Sequence, residues 1–342
     1  MKNLLQKSIY VLISMVLVTS ILNAQKEPIV LTMHTFLSPK APPYAKILVP
    51  WAQKVEKLSN GRIKIKMFPS MSMGGKPNEL YKQARSGSAD IVFTLPAYSP
   101  GVFPRTEVFE LPTVHTTPME TTLAIRDNME LIQEDFKDIK PLILTTTGTN
   151  YLHTVSKKIT KISQLKGLKL RTPSRTGAWF IEELRAEPVA MPIPALPQAL
   201  SKKAIDGTLV VFDIFAPYKL HQLTKYSIGT TKGGGFGSSV LMLVMNKDTF
   251  KRLPKDLQKA VNDSIDLEML KIAGQVPMDL EAPGKKLQKD SGGQVLSLNA
   301  KETAKLEKLG KKVVTRWVKE MSKKGIKAQE LVDSVRASIA KQ

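Results

Sequence analysis

Short runs rich in β-branched and aromatic residues alternate along this chain with stretches of helical period, and few folds accommodate such a pattern. Ile29 to Met33 is β-rich. Residues 44–58 then place Tyr44, Ile47, Leu48, Trp51, Val55 and Leu58 at helical spacing, and Asn60-Gly61 suits the left-handed stop of a helix. Residues 62–68 alternate strictly between polar and apolar, the period of a strand. Pro77 and Asn78 open a second helix that runs to Gly87, and Asp90 to Leu95 is a short strand of the buried type. The order β-α-β-α-β predicts a largely parallel sheet with helices on its faces.

The alternation resumes further on. Strands are predicted over 142–147, 168–171, 189–191 and 208–212, with helical segments over 162–167, 176–184, 197–203 and 216–223 between or after them. Gly233-Gly-Gly-Phe-Gly237 is a flexible break before another strand, Val240 to Met245, and from Lys255 the pattern is mostly helical. A chain of 342 residues has room for about two domains. Two α/β units joined by crossing segments leave a cleft at the carboxyl ends of their strands, where ligands sit in such sheets. The expected fold is therefore α/β and two-lobed, of the hinge-closing periplasmic binding type. One lobe is assigned residues 25–148 and 237–276, the other 149–236 and 277–342.

The first 24 residues are expected to be an address. Lys2 and Lys7 precede a 14-residue apolar run, Ile9 to Leu22, with Ala24 after it. That is the build of a secretory signal peptide, and the run falls short of the ~20 residues a spanning helix needs. Cleavage near Ala24 would leave the mature protein in the periplasm. The formal charge of +21 is concentrated towards the end, where residues 301–342 hold twelve Lys/Arg against five Asp/Glu. Leu306, Leu309, Val313, Trp317 and Met321 recur there at helical spacing, so the lysines read as the wet face of a packed amphipathic helix. With aromatics at 6% and none interleaved with the basic residues, no nucleic-acid partner is expected. The absence of cysteine excludes thiol catalysis, cysteine-held metals and disulfides. The four histidines form no local metal motif, and neither a Gly-x-Ser-x-Gly elbow nor a phosphate loop occurs. No cofactor, metal or enzymatic activity is expected. Two other readings stay open: a secreted hydrolase whose paired carboxylates sequence spacing does not reveal, and a basic envelope-surface protein that binds anionic polymers.

An ordered set of blocks carries a resemblance. Asn60-Gly-Arg-Ile-Lys-Ile-Lys-Met-Phe-Pro69, Gly74-Gly75 followed by Leu80, Ser86-Gly-Ser-Ala-Asp90 and Leu165-Lys-Gly-Leu-Lys-Leu-Arg-Thr-Pro173 come first. Met191-Pro192, Ala199-Leu200, Ile205-Asp-Gly207, Val244-Met-Asn246 and Leu253-Pro-Lys-Asp-Leu-Gln258 follow. Together they resemble the DctP-type solute-binding proteins of tripartite ATP-independent periplasmic (TRAP) transporters, over essentially the whole mature chain. The resemblance implies two α/β lobes around a cleft, capture of a small organic acid, and delivery to a sodium-coupled membrane permease. It also implies that Arg171 pairs bidentately with the ligand carboxylate. The residues support that role independently, because a guanidinium at the end of a buried strand, held before Pro173, is placed to point into a cleft and matches a carboxylate's two oxygens.

Where better-known members have a second arginine, this chain has Tyr151. Val210, Ala195 and Pro197 stand where those members have Asn, Glu and Tyr. A cleft with fewer donors suits a monocarboxylate with an apolar or aromatic body better than a dicarboxylate or a sugar acid. Further candidates by position are His34, Ser174, Tyr98, Phe212, Asp213 and Phe236. For His34 a satisfied structural role competes with ligand contact. For Tyr98, Phe212 and Phe236 core packing competes with stacking on the ligand, and Asp213 either binds a ligand amine or caps the following helix. The protein is expected to act as a monomer.

Overall fold

The computed structural model describes residues 27–342, so the expected signal peptide lies outside the described residues. Among the described residues, two sheets organise the chain. The first runs β2-β1-β3-β10-β4, built from β1 (Ile29–Thr35), β2 (Ile63–Phe68), β3 (Ile91–Thr94), β4 (Ile139–Thr146) and β10 (Val240–Asn246). The second runs β11-β9-β5-β8-β6-β7. Its strands are β5 (Tyr151–Thr154), β6 (Lys169–Thr172), β7 (Glu187–Ala190), β8 (Gly207–Val210), β9 (Tyr226–Gly229) and β11 (Gln294–Ser297). One strand in each sheet, β10 and β5, is antiparallel to both its neighbours. The remaining pairs are parallel. Their carboxyl ends therefore point one way, and the loops beyond them face the other sheet.

Helices of seven residues or more cover these sheets: α1 (Val49–Leu58), α2 (Leu80–Ser86), α3 (Pro118–Asp127), α4 (Arg175–Glu183), α5 (Lys255–Asp263), α6 (Leu267–Asp290), α7 (Ala300–Ser322) and α8 (Ala328–Ile339). Local chemistry sets their ends. Thr117 and Glu120 form a reciprocal capping box before α3, with Pro118 at its first position. Ser174, Asp266 and Asn299 each accept a backbone N–H at the start of α4, α6 and α7. Gly87 ends α2 in the left-handed region at φ 77°. In α7 the stripe Leu306, Val313, Trp317 and Met321 is buried, as its helical spacing predicts.

The chain crosses between sheets at 147–150 and 230–239, and the two crossings pair with each other. Thr147 N–H donates to Ser239 O at 2.9 Å, Asn150 N–H to Gly237 O at 2.7 Å, and Phe236 N–H to Asn150 O at 3.1 Å. A side chain at Gly234 would lie 2.5 Å from Asn150 O, so this close backbone approach requires glycine. Helix α6 spans both sheets. A Cβ on Gly274 would lie 2.8 Å from Met119 Cα of α3, and one on Gly284 would lie 2.5 Å from Phe212 O beyond β8. Pro277 and Pro283 fall between or beside these contacts. Pro277 lacks the N–H that would bond Ala273 O, and Thr145 Oγ1 of β4 donates to that carbonyl instead, at 3.2 Å.

Several expectations are refined. The turn Tyr44–Leu48 is π-helical rather than α-helical. The four-residue strands β5, β9 and β11 are additional to those predicted, and the 216–223 segment is two short turns, Phe215–Tyr218 and Leu220–Gln222. The expected division placed 277–342 with the second lobe. Strand β11 lies in the second sheet, whereas α8 packs on α3 beside the first, with Ser334 Oγ donating to Asn128 Oδ1 at 2.6 Å and Asn128 Nδ2 to Ser338 Oγ at 2.9 Å. No helix among the described residues is long and apolar enough to cross a membrane.

Candidate functional site

The loops at the carboxyl ends of the strands enclose a cavity between the two sheets. Phe36 and Leu37 come from beyond β1, Leu95 and Tyr98 from beyond β3, and Thr147 from the end of β4. Arg171 comes from β6 and Pro173 from just beyond it, and Val211 and Asp213 from beyond β8. Asn150, before antiparallel β5, and Ser239 and Leu241, at the start of antiparallel β10, close the wall. The space open to the centre of a water molecule is about 60 Å³, room for about four to six waters or one small ring-bearing acid. A wider groove shares Tyr98 and Pro173 with this cavity and is bordered by Lys76, Pro77 and Asn78 on one side and Met191, Pro192 and Ala195 on the other.

Arg171 is the largest polar side chain in the cavity wall and is 2% exposed. Its Nε and Nη2 both donate to Met191 O, at 2.9 and 2.8 Å, which fixes the plane of the guanidinium. Burial lowers its pKa, and its electrostatic neighbours are the hydroxyls of Tyr98 and Tyr218 rather than a carboxylate. A buried cation without a counter-ion costs several kcal/mol, so this wall favours an incoming anion. Tyr98 is buried, and its hydroxyl accepts the Ile193 N–H at 2.9 Å. That contact leaves the O–H free to donate into the cavity. Asp213 is 7% exposed, and its Oδ1 has no hydrogen-bond partner. Burial pushes its carboxyl up to about 7, with the Ile214 N–H partly offsetting that rise. It caps neither adjacent turn, since Phe212–Ile214 and Phe215–Tyr218 start without a side-chain cap.

The other sequence candidates fall outside the cavity wall. His34 is fully buried on β1, donating Nδ1–H to Gln83 Oε1 at 2.6 Å and accepting the Met73 N–H at Nε2, 3.3 Å away. Both ring nitrogens are thus used by the frame, and Phe36 and Leu37, just past the strand, face the cavity instead. Tyr151 donates to Glu281 Oε1 of α6 at 2.8 Å, under Lys285 Nζ, which lies 4.9 Å from its ring centroid. Burial and that glutamate raise its pKa. Its ring meets Phe212 edge-on at 4.8 Å, and Phe212 also packs on His153 at 5.0 Å and Phe215 at 4.8 Å. His153 stays neutral in that cluster, lowered to about 3 by burial. Phe236 turns towards Phe180 of α4, 6.3 Å between centroids.

Ser174 borders a second, smaller cavity, with Glu107, Glu110 and Arg175. In this seam Arg175 Nη2 lies 2.5 Å from Glu107 Oε2, and Trp317 Nε1 of α7 donates to the same oxygen at 3.0 Å. Glu110 Oε1 accepts the Val240 N–H at 2.9 Å, and burial pushes its carboxyl up to about 8, with Glu107 adding to the rise. Tyr218, Asn150, Thr147, Phe36 and Ile193 line the ligand cavity without having been singled out in the sequence. Only Tyr218 left a trace, in the helical stretch that follows Asp213.

Two lobes, loops from the strand ends of both sheets, and a buried arginine facing an apolar cavity have the build of a solute receptor. Comparison with known proteins supplies the family. Residues 33–321 match the DctP family, bacterial extracellular solute-binding protein family 7. The chain belongs to that family, and it is a periplasmic transport receptor rather than an enzyme. It is 35% identical to a marine-metagenome TRAP solute-binding protein specific for aromatic acids, crystallised with 3-hydroxybenzoate; the match covers 92% of this chain and 99% of that one, with a TM-score of 0.89. A TRAP solute-binding protein from Rhodoferax ferrireducens, bound to copurified benzoate, is also 35% identical, over 92% and 98% of the two chains, with a TM-score of 0.88. An uncharacterized protein of Haemophilus influenzae is 29% identical over 66% of each chain. Homologous receptors of this family thus bind small aromatic and other organic carboxylic acids.

Proposed function

We propose that this protein captures a small monocarboxylate with an aromatic or apolar body and delivers it to a sodium-coupled TRAP membrane permease. The observation that carries the reading is Arg171: a buried guanidinium, held in plane by Met191 O, with no carboxylate among its electrostatic neighbours and an apolar cavity before it. Phe36, Phe93, Leu95, Ile193 and Leu241 give a ring a surface to pack on; Asn150, Tyr218 and Ser239 add neutral polar groups, but the lining holds no cation besides Arg171 to pair with a second carboxylate. The benzoate and 3-hydroxybenzoate carried by the two 35%-identical relatives support the same ligand class. In this reading Arg171 anchors the carboxylate from the second lobe and Tyr98 meets it from the first. Burial of the ligand between them is the free energy that favours the closed form. The receptor acts as a monomer, without cofactor or nucleic acid.

The test is calorimetric titration of residues 25–342 with benzoate, a dicarboxylate and a sugar acid, repeated with Arg171→Ala and Arg171→Lys. The reading expects the aromatic acid alone to bind, and both variants to lose it, since lysine lacks the planar fork. Tight binding of the dicarboxylate, or wild-type affinity in Arg171→Ala, would overturn it.

A further inference from the structure

The cavity holds a second buried charge-bearing group that anchoring a carboxylate leaves unused. Asp213 sits in the turn after β8, 7% exposed, in a wall otherwise made of side chains such as Phe93, Leu209, Ile214 and Leu241. Its Oδ1 is buried and unpartnered. The chain gives it no structural employment: neither flanking turn is capped by a side chain, and it is absent from the ion pairs made among the described residues. The groups that bear on it are few. Its own element contributes the Ile214 N–H, and the hydroxyl of Tyr218, on the following turn, lies in the fields of Tyr98, Arg171 and Asp213 together. Arg171, Tyr98, Tyr218 and Asp213 thus line one cavity, with Tyr218 an electrostatic neighbour of the other three.

A buried carboxyl with an open oxygen is satisfied only by a group that brings a hydrogen. The chain supplies none to Oδ1, and because Asp213 lines the cavity a bound ligand is placed to supply it, at a point away from the carboxylate that Arg171 holds. We infer that Asp213 reads a hydroxyl on the ligand's body, so that the preferred substrates are hydroxylated aromatic monocarboxylates rather than bare ones. A hydroxyl fits better than an ammonium. The carboxyl titrates near neutrality, at about 7, and an O–H both donates to the ionised form and accepts from the protonated one, whereas an ammonium is matched only by the ionised form.

This inference rests on the aromatic-carboxylate reading above, and the experiment separates the two. Dissociation constants are measured by calorimetry for benzoate, 3- and 4-hydroxybenzoate and 3- and 4-methylbenzoate, on wild type, Asp213→Ala and Asp213→Asn. The methyl acids match the hydroxyl acids in shape and lack the donor. In wild type, at least one hydroxy acid should bind about ten- to a hundredfold tighter than the methyl acid substituted at the same carbon, the usual worth of a hydrogen bond to a charged group. That ratio should fall to within about threefold in Asp213→Ala and recover in part in Asp213→Asn, which keeps a donor and an acceptor. A wild-type ratio near one at both positions overturns the role of Asp213 even if the variants fail to fold, as does a ratio that Asp213→Ala leaves unchanged. If none of the five acids binds wild type, the aromatic-carboxylate reading itself falls, and this assignment with it.

Discussion

Arg171 and Arg175 stand four residues apart at the same boundary between the lobes, and their surroundings differ in kind. Arg175 meets Glu107 across the seam, and Trp317 donates to the same carboxylate, so the charge is answered from within the chain. Arg171 is more deeply buried and meets a carbonyl and two tyrosines. The carboxyls divide less cleanly. Glu110 in the seam takes a backbone N–H on Oε1 and is pushed up to about 8, so at neutral pH it holds a proton beside the Ser174 and Thr176 hydroxyls. Its Oε2 has no hydrogen-bond partner, and neither has Asp213 Oδ1 in the cavity. The arginines carry the contrast: one charge is answered by a carboxylate of the chain and the other is not.

Removing Arg171 should break this contrast most sharply. Arg171→Ala is expected to weaken ligand binding by about 3–5 kcal/mol, the cost of unpairing a desolvated ion pair, while leaving unliganded stability little changed; calorimetry and urea unfolding read the two separately. Next comes pH. Glu110 binds its proton more tightly folded, near pH 8, than unfolded, near 4.5. Its contribution to stability is therefore full below about pH 4.5 and drains away as pH rises towards 8, at up to about 1.4 kcal/mol per unit. Urea midpoints across pH 4–9 should show that decline, and Glu110→Gln, which keeps an acceptor for Val240, should flatten it. In the seam, Glu107→Ala strands Trp317 Nε1 and Arg175 and is expected to cost about 1–3 kcal/mol of stability; an unchanged unfolding midpoint would show that the seam does not depend on this carboxylate. The smallest effect belongs to Tyr151→Phe. Loss of the Glu281 bond should cost about 1 kcal/mol in stability with affinity within about twofold, and a tenfold loss of affinity would restore Tyr151 as a ligand anchor.

The legibility of the site in the sequence follows the same divide. Arg171 stood out through the resemblance of the block Leu165–Pro173, with a long cation ending a buried-type strand before Pro173 as support. His34 carries the same strand-end position, but Gln83 and Met73, which satisfy it, lie 49 and 39 residues away in sequence and leave no local mark. Tyr151, Phe212 and Phe236 could not be divided from Phe36 or Tyr218 by type, because a ring packed on the frame and a ring lining a cavity are equally apolar in sequence. The long elements followed their periodicity. The strands β5, β9 and β11 are four residues each, but so are β3, β6, β7 and β8, which the sequence reading includes, so length alone does not separate them.

Helix α6 adds a consequence that concerns time rather than affinity. It is pinned by backbone-close contacts at Gly274 to the first lobe and at Gly284 to the second, about 15 Å apart along its axis. Pro277 and Pro283 thin the hydrogen-bond ladder within and at the edge of that span. If the lobes part to admit a solute, this rod has to flex with them, and its stiffness would then be set by residues outside the cavity lining. How long an acid stays inside is then a mechanical property as well as a chemical one, and two receptors with identical cavities could empty at different speeds.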